Sequence, residues 1–258
     1  MRSIDINADM GEIPEAWSKG PDKDLLQIVT SANIACGFHA GDPDSMHRTI
    51  ELCGRNGVGI GAHPSFNDRK NFGRIVPEAY DVERVKLDVI YQIGAFSALA
   101  IAAGRRMHHV KLHGALANLA SRNIDVARRM FGAISTAFPQ LPVLTIANTA
   151  QQQAASEAGL PFVSEIFADR AYSDDGTLVD RTRKGAVLHE PAECADRVLR
   201  VVECGYMMSI DGNPVQLRAE SVCVHGDTPQ AIAIASCVRN RLERAGISVG
   251  RFQEAVAA

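Results

Sequence analysis

Ile4-Asp5-Ile6-Asn7-Ala8-Asp9-Met10-Gly11-Glu12 alternates apolar and polar residues and ends on carboxylates. A period of two reads as a strand, so Asp5, Asn7 and Asp9 share one face, and Ile4, Ile6 and Ala8 the other. Four later segments repeat the theme with a histidine beside glycine or proline, each after a short apolar run. They are Cys36-Gly37-Phe38-His39-Ala40-Gly41-Asp42, Gly61-Ala62-His63-Pro64, Lys111-Leu112-His113-Gly114 and His225-Gly226-Asp227. Polar residues gathered at the ends of strands that alternate with helices converge on one rim of a parallel sheet or barrel.

Working outward, strands are expected at 3–7, 32–36, 58–62, 109–111, 143–146, 162–165, 207–210 and 221–224. Helical patterns fall at 22–30, 44–56, 82–103, 124–138, 149–158, 191–204 and 229–245, most of them ending at a glycine. No linker, repeat or low-complexity tract interrupts the alternation, so residues 1–258 are expected to form one domain. The fold class is α/β: some seven or eight β/α units favour a closed or nearly closed TIM-like barrel over an open sheet. Two connections, 64–80 and 167–188, are long for such a fold. They carry Arg69 and Arg74, and Asp169, Arg170 and Arg181, as loops that build or cover a site do.

Apolar residues make up 46% of the chain, enough for a large core. The net charge of -3 and the lack of a basic, aromatic-interleaved run exclude nucleic acid as a partner. The six cysteines lack CxxC spacing and read as buried free thiols. The N-terminus lacks the apolar core of a signal peptide, and no stretch reads as a membrane span, so a cytoplasmic protein is expected. Phosphate-loop, dinucleotide and nucleophile-elbow motifs are absent.

A rim of Asp, Glu, Lys and His points to hydrolysis, with or without a metal. Asp9 and Glu12 are candidates for base or ligand. His39, His63, His113 and His225 are expected to share a pocket, although their spacing is not that of HExxH. Lys111 shares a strand face with His113 and is suited to hold a carboxylate or an oxyanion. Arg69, Arg74, Arg170 and Arg181 read as contacts for an anionic substrate or a partner surface, with Asn7, His225 and Asp227 along the wall.

The stretches DINADMGE (5–12), TSANIACGFHAGDP (30–43), GVGIGAHPSFNDRKNFGR (57–74), HVKLHGALAN (109–118), EIFADRAY (165–172) and VCVHGD (222–227) resemble, in order and over nearly the whole chain, the LamB/YcsF family. The resemblance implies a seven-stranded barrel related to the glycoside hydrolase and deacetylase superfamily. It also implies an ATP-dependent hydrolase that opens the cyclic amide of 5-oxoproline to glutamate together with two partner subunits. Without a phosphate loop here, ATP would be bound by those partners. By analogy with deacetylase barrels, Asp9, His63 and His113 would hold a divalent metal, leaving Lys111, His39 and Glu12 as catalytic companions. Where the family reads KPHGALYN, this chain has Leu112 for the proline and Ala117 for the tyrosine. Two other readings compete: a stand-alone metal-dependent deacetylase or amidohydrolase, and a non-catalytic scaffold that presents a small ligand to partners.

Overall fold

The computed structural model describes residues 3–13, 20–226 and 230–252. Seven parallel strands close into a barrel: β1 (Ser3–Met10), β2 (Ser31–Ala35), β3 (Gly59–His63), β4 (His109–Lys111), β5 (Val143–Ile146), β6 (Phe162–Phe167) and β9 (Ser221–Val224). Each pairs with the next, and β9 closes on β1 through Asp5↔Ser221 and Ala8↔Val224. A two-residue strand, β10 (Ser248–Val249), extends the foot of β1. The helices between them are α1 (Pro21–Leu25), α2 (Pro43–Arg55), α3 (Val82–Ala102), α4 (Gly114–Arg122), α5 (Ile124–Ala137), α6 (Ala150–Glu157), α7 (Pro191–Cys204) and α8 (Ala231–Arg244).

The alternation of β1 does what its period requires. Ile4, Ile6, Ala8 and Met10 lie in the apolar layer between barrel and helices, at 2% exposure or less. Asp5, Asn7 and Asp9 enter a polar barrel interior, where each finds partners. Buried polar groups persist only when hydrogen-bonded. Asp5 accepts from Thr30 Oγ1 (2.6 Å) and Ser31 Oγ (2.7 Å), and also from the Ser221 hydroxyl. Asn7 donates to Glu165 Oε1 and Ser221 Oγ, both at 2.8 Å. Asn33 carries the network to Asn7 (2.7 Å) and to His109 (2.8 Å).

Gly61 makes room for that last ring. A Cβ built there would lie 2.2 Å from His109 Nε2. Gly61→Ala is therefore expected to destabilise the protein by about 1–3 kcal/mol, the usual cost of overpacking a rigid interior. Denaturant unfolding of the two proteins checks this.

Four sequence expectations are corrected. The 207–210 run is not a barrel strand: β7 (Tyr206–Met208) pairs antiparallel with β8 (Pro214–Gln216), because the turn at 209–213 folds it back before it can reach β6. The helix expected over 22–30 stops at Leu25, and Leu26 to Ile28 form a turn before the chain enters β2. Helix α4 has no counterpart among the expected helices, since His113-Gly114 reads as a strand end and gives no polar cap. Finally, α3 is long and apolar enough to cross a membrane by length and composition, because its charges crowd into its first turns. Its Val85, Val89, Ile93 and Phe96 face is buried in the core instead.

Candidate active site

The C-terminal ends of the strands open into a cavity of about 610 Å³. Asp9, Glu12, His63, Lys111, His113 and His225 line it. The floor is set by which strand end carries which residue. Asp9 stands opposite Asn33 in the β1–β2 register, His63 ends β3, and Lys111 ends β4. His113 caps the start of α4.

Two histidines are fixed by acceptors that cannot donate. His63 Nδ1 donates to the Lys111 carbonyl (2.8 Å), and His113 Nε2 donates to the Phe72 carbonyl (2.9 Å). Each ring therefore presents a lone pair from its other nitrogen. Those two nitrogens, His63 Nε2 and His113 Nδ1, face each other at 3.0 Å. Asp9 Oδ1 lies 3.3 Å from the first, and Glu12 Oε1 lies 3.4 Å from the second. Four acceptors thus converge, their ligand atoms all within 4.8 Å of one another. Converging lone pairs repel unless a proton or a cation stands between them. Burial, with His39 and His63 nearby, holds the His113 pKa well below the usual imidazole value. A proton is thereby disfavoured, so the donor set fits a divalent cation.

Phe72 is held at φ 58°, and the next residue, Gly73, at φ 62°. A Cβ on Gly73 would meet His39 Cβ at 2.9 Å and His113 Cδ2 at 3.0 Å, so only glycine lets the loop press this closely on His113.

His39 lies behind this cluster, outside the cavity lining. It stacks on His113 (3.8 Å, 7°), has Ser65 Oγ 2.9 Å from its Nδ1 and donates from Nε2 to Glu12 (3.1 Å). Its reach to the cavity is through Glu12, which it orients.

Lys111 Nζ has Asp9 Oδ1 at 3.1 Å, Glu165 Oε1 at 3.0 Å, Asn7 Oδ1 at 3.3 Å and Cys223 Sγ at 3.0 Å. Burial favours its neutral form, but Asp9, Cys223 and Glu165 overcome this and push its pKa well above the usual value. Its donors are spent inside the barrel, so it holds Asp9 rather than a ligand. For Asp9, burial is likewise overcome, by His63 and Lys111, and the carboxyl sits well below the usual range. Such a carboxylate is a poor proton acceptor and a good cation ligand. Lys111→Met leaves two buried carboxylates without their cation. It is expected to cost about 3–5 kcal/mol, or roughly 10 °C in melting temperature for a chain of this size. Adding Glu165→Gln should recover part of that loss. Thermal melts of the single and double variants check the pair.

Beside Asp9, just past the end of β9, His225 Nδ1 donates to both Asp169 oxygens (2.8 and 2.9 Å), leaving Nε2 for the cavity. Arg74, Arg122, Arg170 and Arg181 ring the upper wall. Burial, then the neighbouring Arg181, pushes Arg170 down to about 10. Its guanidinium donates to the Val179 carbonyl (2.5 Å).

Of the residues expected from sequence, Asp9, Glu12, His63, Lys111, His113, His225, Arg74 and Arg170 line the one cavity. Asn7 is fully buried beneath Lys111 and does not reach it. Arg69 also stays outside, donating to the carbonyls of Gly37 (2.8 Å) and Gly41 (2.7 Å), where it ties two loops together. Asp227 lies outside the described residues. Glu165 and Arg122 join the site without having been expected there, while Arg181 and Asp169, marked on the long 167–188 loop, reach it at the cavity wall and through His225. Glu165 and Asp169 sit at the end of β6 and just past it, the same signal that marks the histidines. Ala117 and Leu112, the two departures noted in the sequence, both line the cavity.

A closed parallel barrel with carboxylates and imidazoles at its strand ends defines a β/α-barrel protein with a polar site at one mouth. The family model described as LamB/YcsF family matches residues 4–257, and the chain belongs to that family. It is 48% identical to the A subunit of 5-oxoprolinase from Rhodopseudomonas palustris (strain ATCC BAA-98 / CGA009), over 96% of this chain and 98% of that one. The crystal structure of a lactam utilization protein from Thermus thermophilus superposes with a TM-score of 0.89 at 41% identity, covering 98% of this chain and 100% of that one. The catalytic domain of a peptidoglycan N-acetylglucosamine deacetylase from Eubacterium rectale shares the fold alone: TM-score 0.53 at 9% identity, covering 98% and 89%.

Proposed function

We propose that this chain is the lactam-opening subunit of an ATP-dependent, cytoplasmic 5-oxoprolinase, acting with two partner subunits to convert 5-oxoproline to glutamate. The observation that carries a hydrolytic site is the meeting of His63 Nε2 and His113 Nδ1 between Asp9 and Glu12. The names of the relatives, a subunit of 5-oxoprolinase and a lactam utilization protein, direct that chemistry to a lactam. The arginines of the upper wall suit an anionic substrate, as 5-oxoproline is.

Asp9, His63 and His113 would hold a divalent cation, which when bound supplies Lewis acidity and an acidified water. Three protein ligands leave a position open, as catalysis requires. Glu12, oriented by His39, takes the proton of the attacking water. His225, carrying protons on both ring nitrogens with Nδ1–H held by Asp169, gives its Nε2 proton to the departing ring nitrogen. Lys111 keeps Asp9 ionised and in place. An unstrained amide resists hydrolysis, and the sequence has no phosphate loop, so phosphorylation falls to the partner subunits.

The test is glutamate formation from 5-oxoproline with and without ATP and the partner subunits. Turnover only with all of them supports the reading. Turnover of an N-acyl compound by the chain alone would favour the deacetylase reading. Undiminished turnover after Asp9→Asn would favour the scaffold.

A further inference from the structure

The outer face of α3 is apolar where a barrel helix normally meets water with charge. Among the described residues eight large apolar side chains are exposed, and three of them lie on this helix: Leu87 (60%), Tyr91 (66%) and Ile101 (69%). With Gly94 and Ala98 they follow a four-three-four-three spacing, the repeat of a helix–helix seam. The run from Val89 to Gly104 carries no charge. The seam continues onto the loop after β2, where Phe38 lies against Tyr91 at 5.7 Å.

Among the described residues nothing fills the centre of this seam. Apart from its chain neighbours and the helix's own backbone, none of their atoms lies within 4 Å of where a Gly94 Cβ would stand. A glycine in a helix interior costs stability, and here no contact among those residues asks for it. A second helix approaching closely would.

We infer that α3 is a two-fold interface, with a second copy of this chain laying its own α3 antiparallel along the seam. Three features select a second copy. The seam has large residues at its ends and small ones at its centre, so it complements itself: Tyr91 of one copy meets Ile101 of the other, and Gly94 meets Ala98. The charges are compatible too. In the antiparallel arrangement the first turns, where Asp81, Glu83 and Asp88 stand among Arg84, Lys86 and Arg129, come toward the exposed Arg106 of the other copy. The opposing helix dipoles align favourably as well. A bilayer is the poorer occupant, because the Val85, Val89, Ile93 and Phe96 side of α3 is fixed in the barrel's core. The inference is independent of the proposed reaction, since α3 contributes nothing to the cavity lining.

Sedimentation velocity of the full chain at micromolar concentration tests it. The wild type is expected to run at twice the mass of the chain, and Ala98→Arg at the monomer mass with an unchanged circular dichroism spectrum and unchanged cavity chemistry. A mixture of Tyr91→Cys and Ile101→Cys chains is expected to form a disulfide between copies under mild oxidation that neither variant forms alone. A monomeric wild type would overturn the inference, even one that joins other subunits or anionic vesicles through this helix. So would a dimer that survives Ala98→Arg.

Discussion

Asp9→Asn is expected to lower glutamate formation by the assembled enzyme about 10²–10⁴-fold, with the melting temperature of the isolated chain little changed. The swap keeps the shape of the side chain and an oxygen for Lys111 and Asn33, which approach Asp9 Oδ1 at 3.1 and 2.9 Å. What it removes is the charge. Asp9 faces His63 Nε2 at 3.3 Å, and its carboxyl is held ionised far below the usual range. An amide there weakens the grip on a cation and leaves the Lys111 ammonium facing a neutral group. Steady-state kinetics with partners and ATP, beside a thermal melt, separate the two effects. A variant with more than about a third of wild-type turnover would lie well outside the expected range and would remove Asp9 from the reaction.

His225→Ala is expected to lower turnover by about 10²–10⁴-fold as the loss of a general acid. Its companion Asp169→Asn should fall in the same direction, because a neutral amide no longer stabilises the protonated ring that the acid role needs. The geometry behind both is the two-oxygen grip of Asp169 on His225, at 2.8 and 2.9 Å, on a ring that lines the cavity. The effect should appear in kcat rather than KM, since a proton donated to the departing nitrogen matters in the transition state. A His225→Ala enzyme with raised KM and intact kcat would mean that His225 only shapes the wall beside the substrate.

Much of the fold is legible in the sequence because its signals are local. Alternation in 4–10 places β1 and sorts its faces, and helices that end at glycine give the barrel its rhythm. What escapes is not local. The run at 207–210 has the composition of a strand, and only the return of 214–216 shows that it pairs outside the barrel. At the site, histidines beside glycine and proline are visible, whereas their tautomers are not. These depend on carbonyls of Lys111 and Phe72, the second of them on a loop some forty residues before His113. Lys111 reads as a ligand for substrate because a lone lysine at a strand end invites that role. Its four buried acceptors come from β1, β6 and β9, which no spacing along β4 foretells. Asp169 carries the same strand-end signal as the histidines, and its role emerges only beside His225, 56 positions on.

The central claim is that His63 and His113 meet across a cation that the hydrolysis needs. The direct measurement is turnover of 5-oxoproline by the partner-assembled enzyme after exhaustive chelation of this chain, followed by stepwise return of a divalent metal, with bound metal counted at each step. The account predicts turnover reduced at least about 10²-fold in the chelated state, rising in proportion to bound metal and levelling at one ion per chain, and no such recovery in His113→Ala. Full turnover by metal-free protein, with no response to added metal, would contradict it.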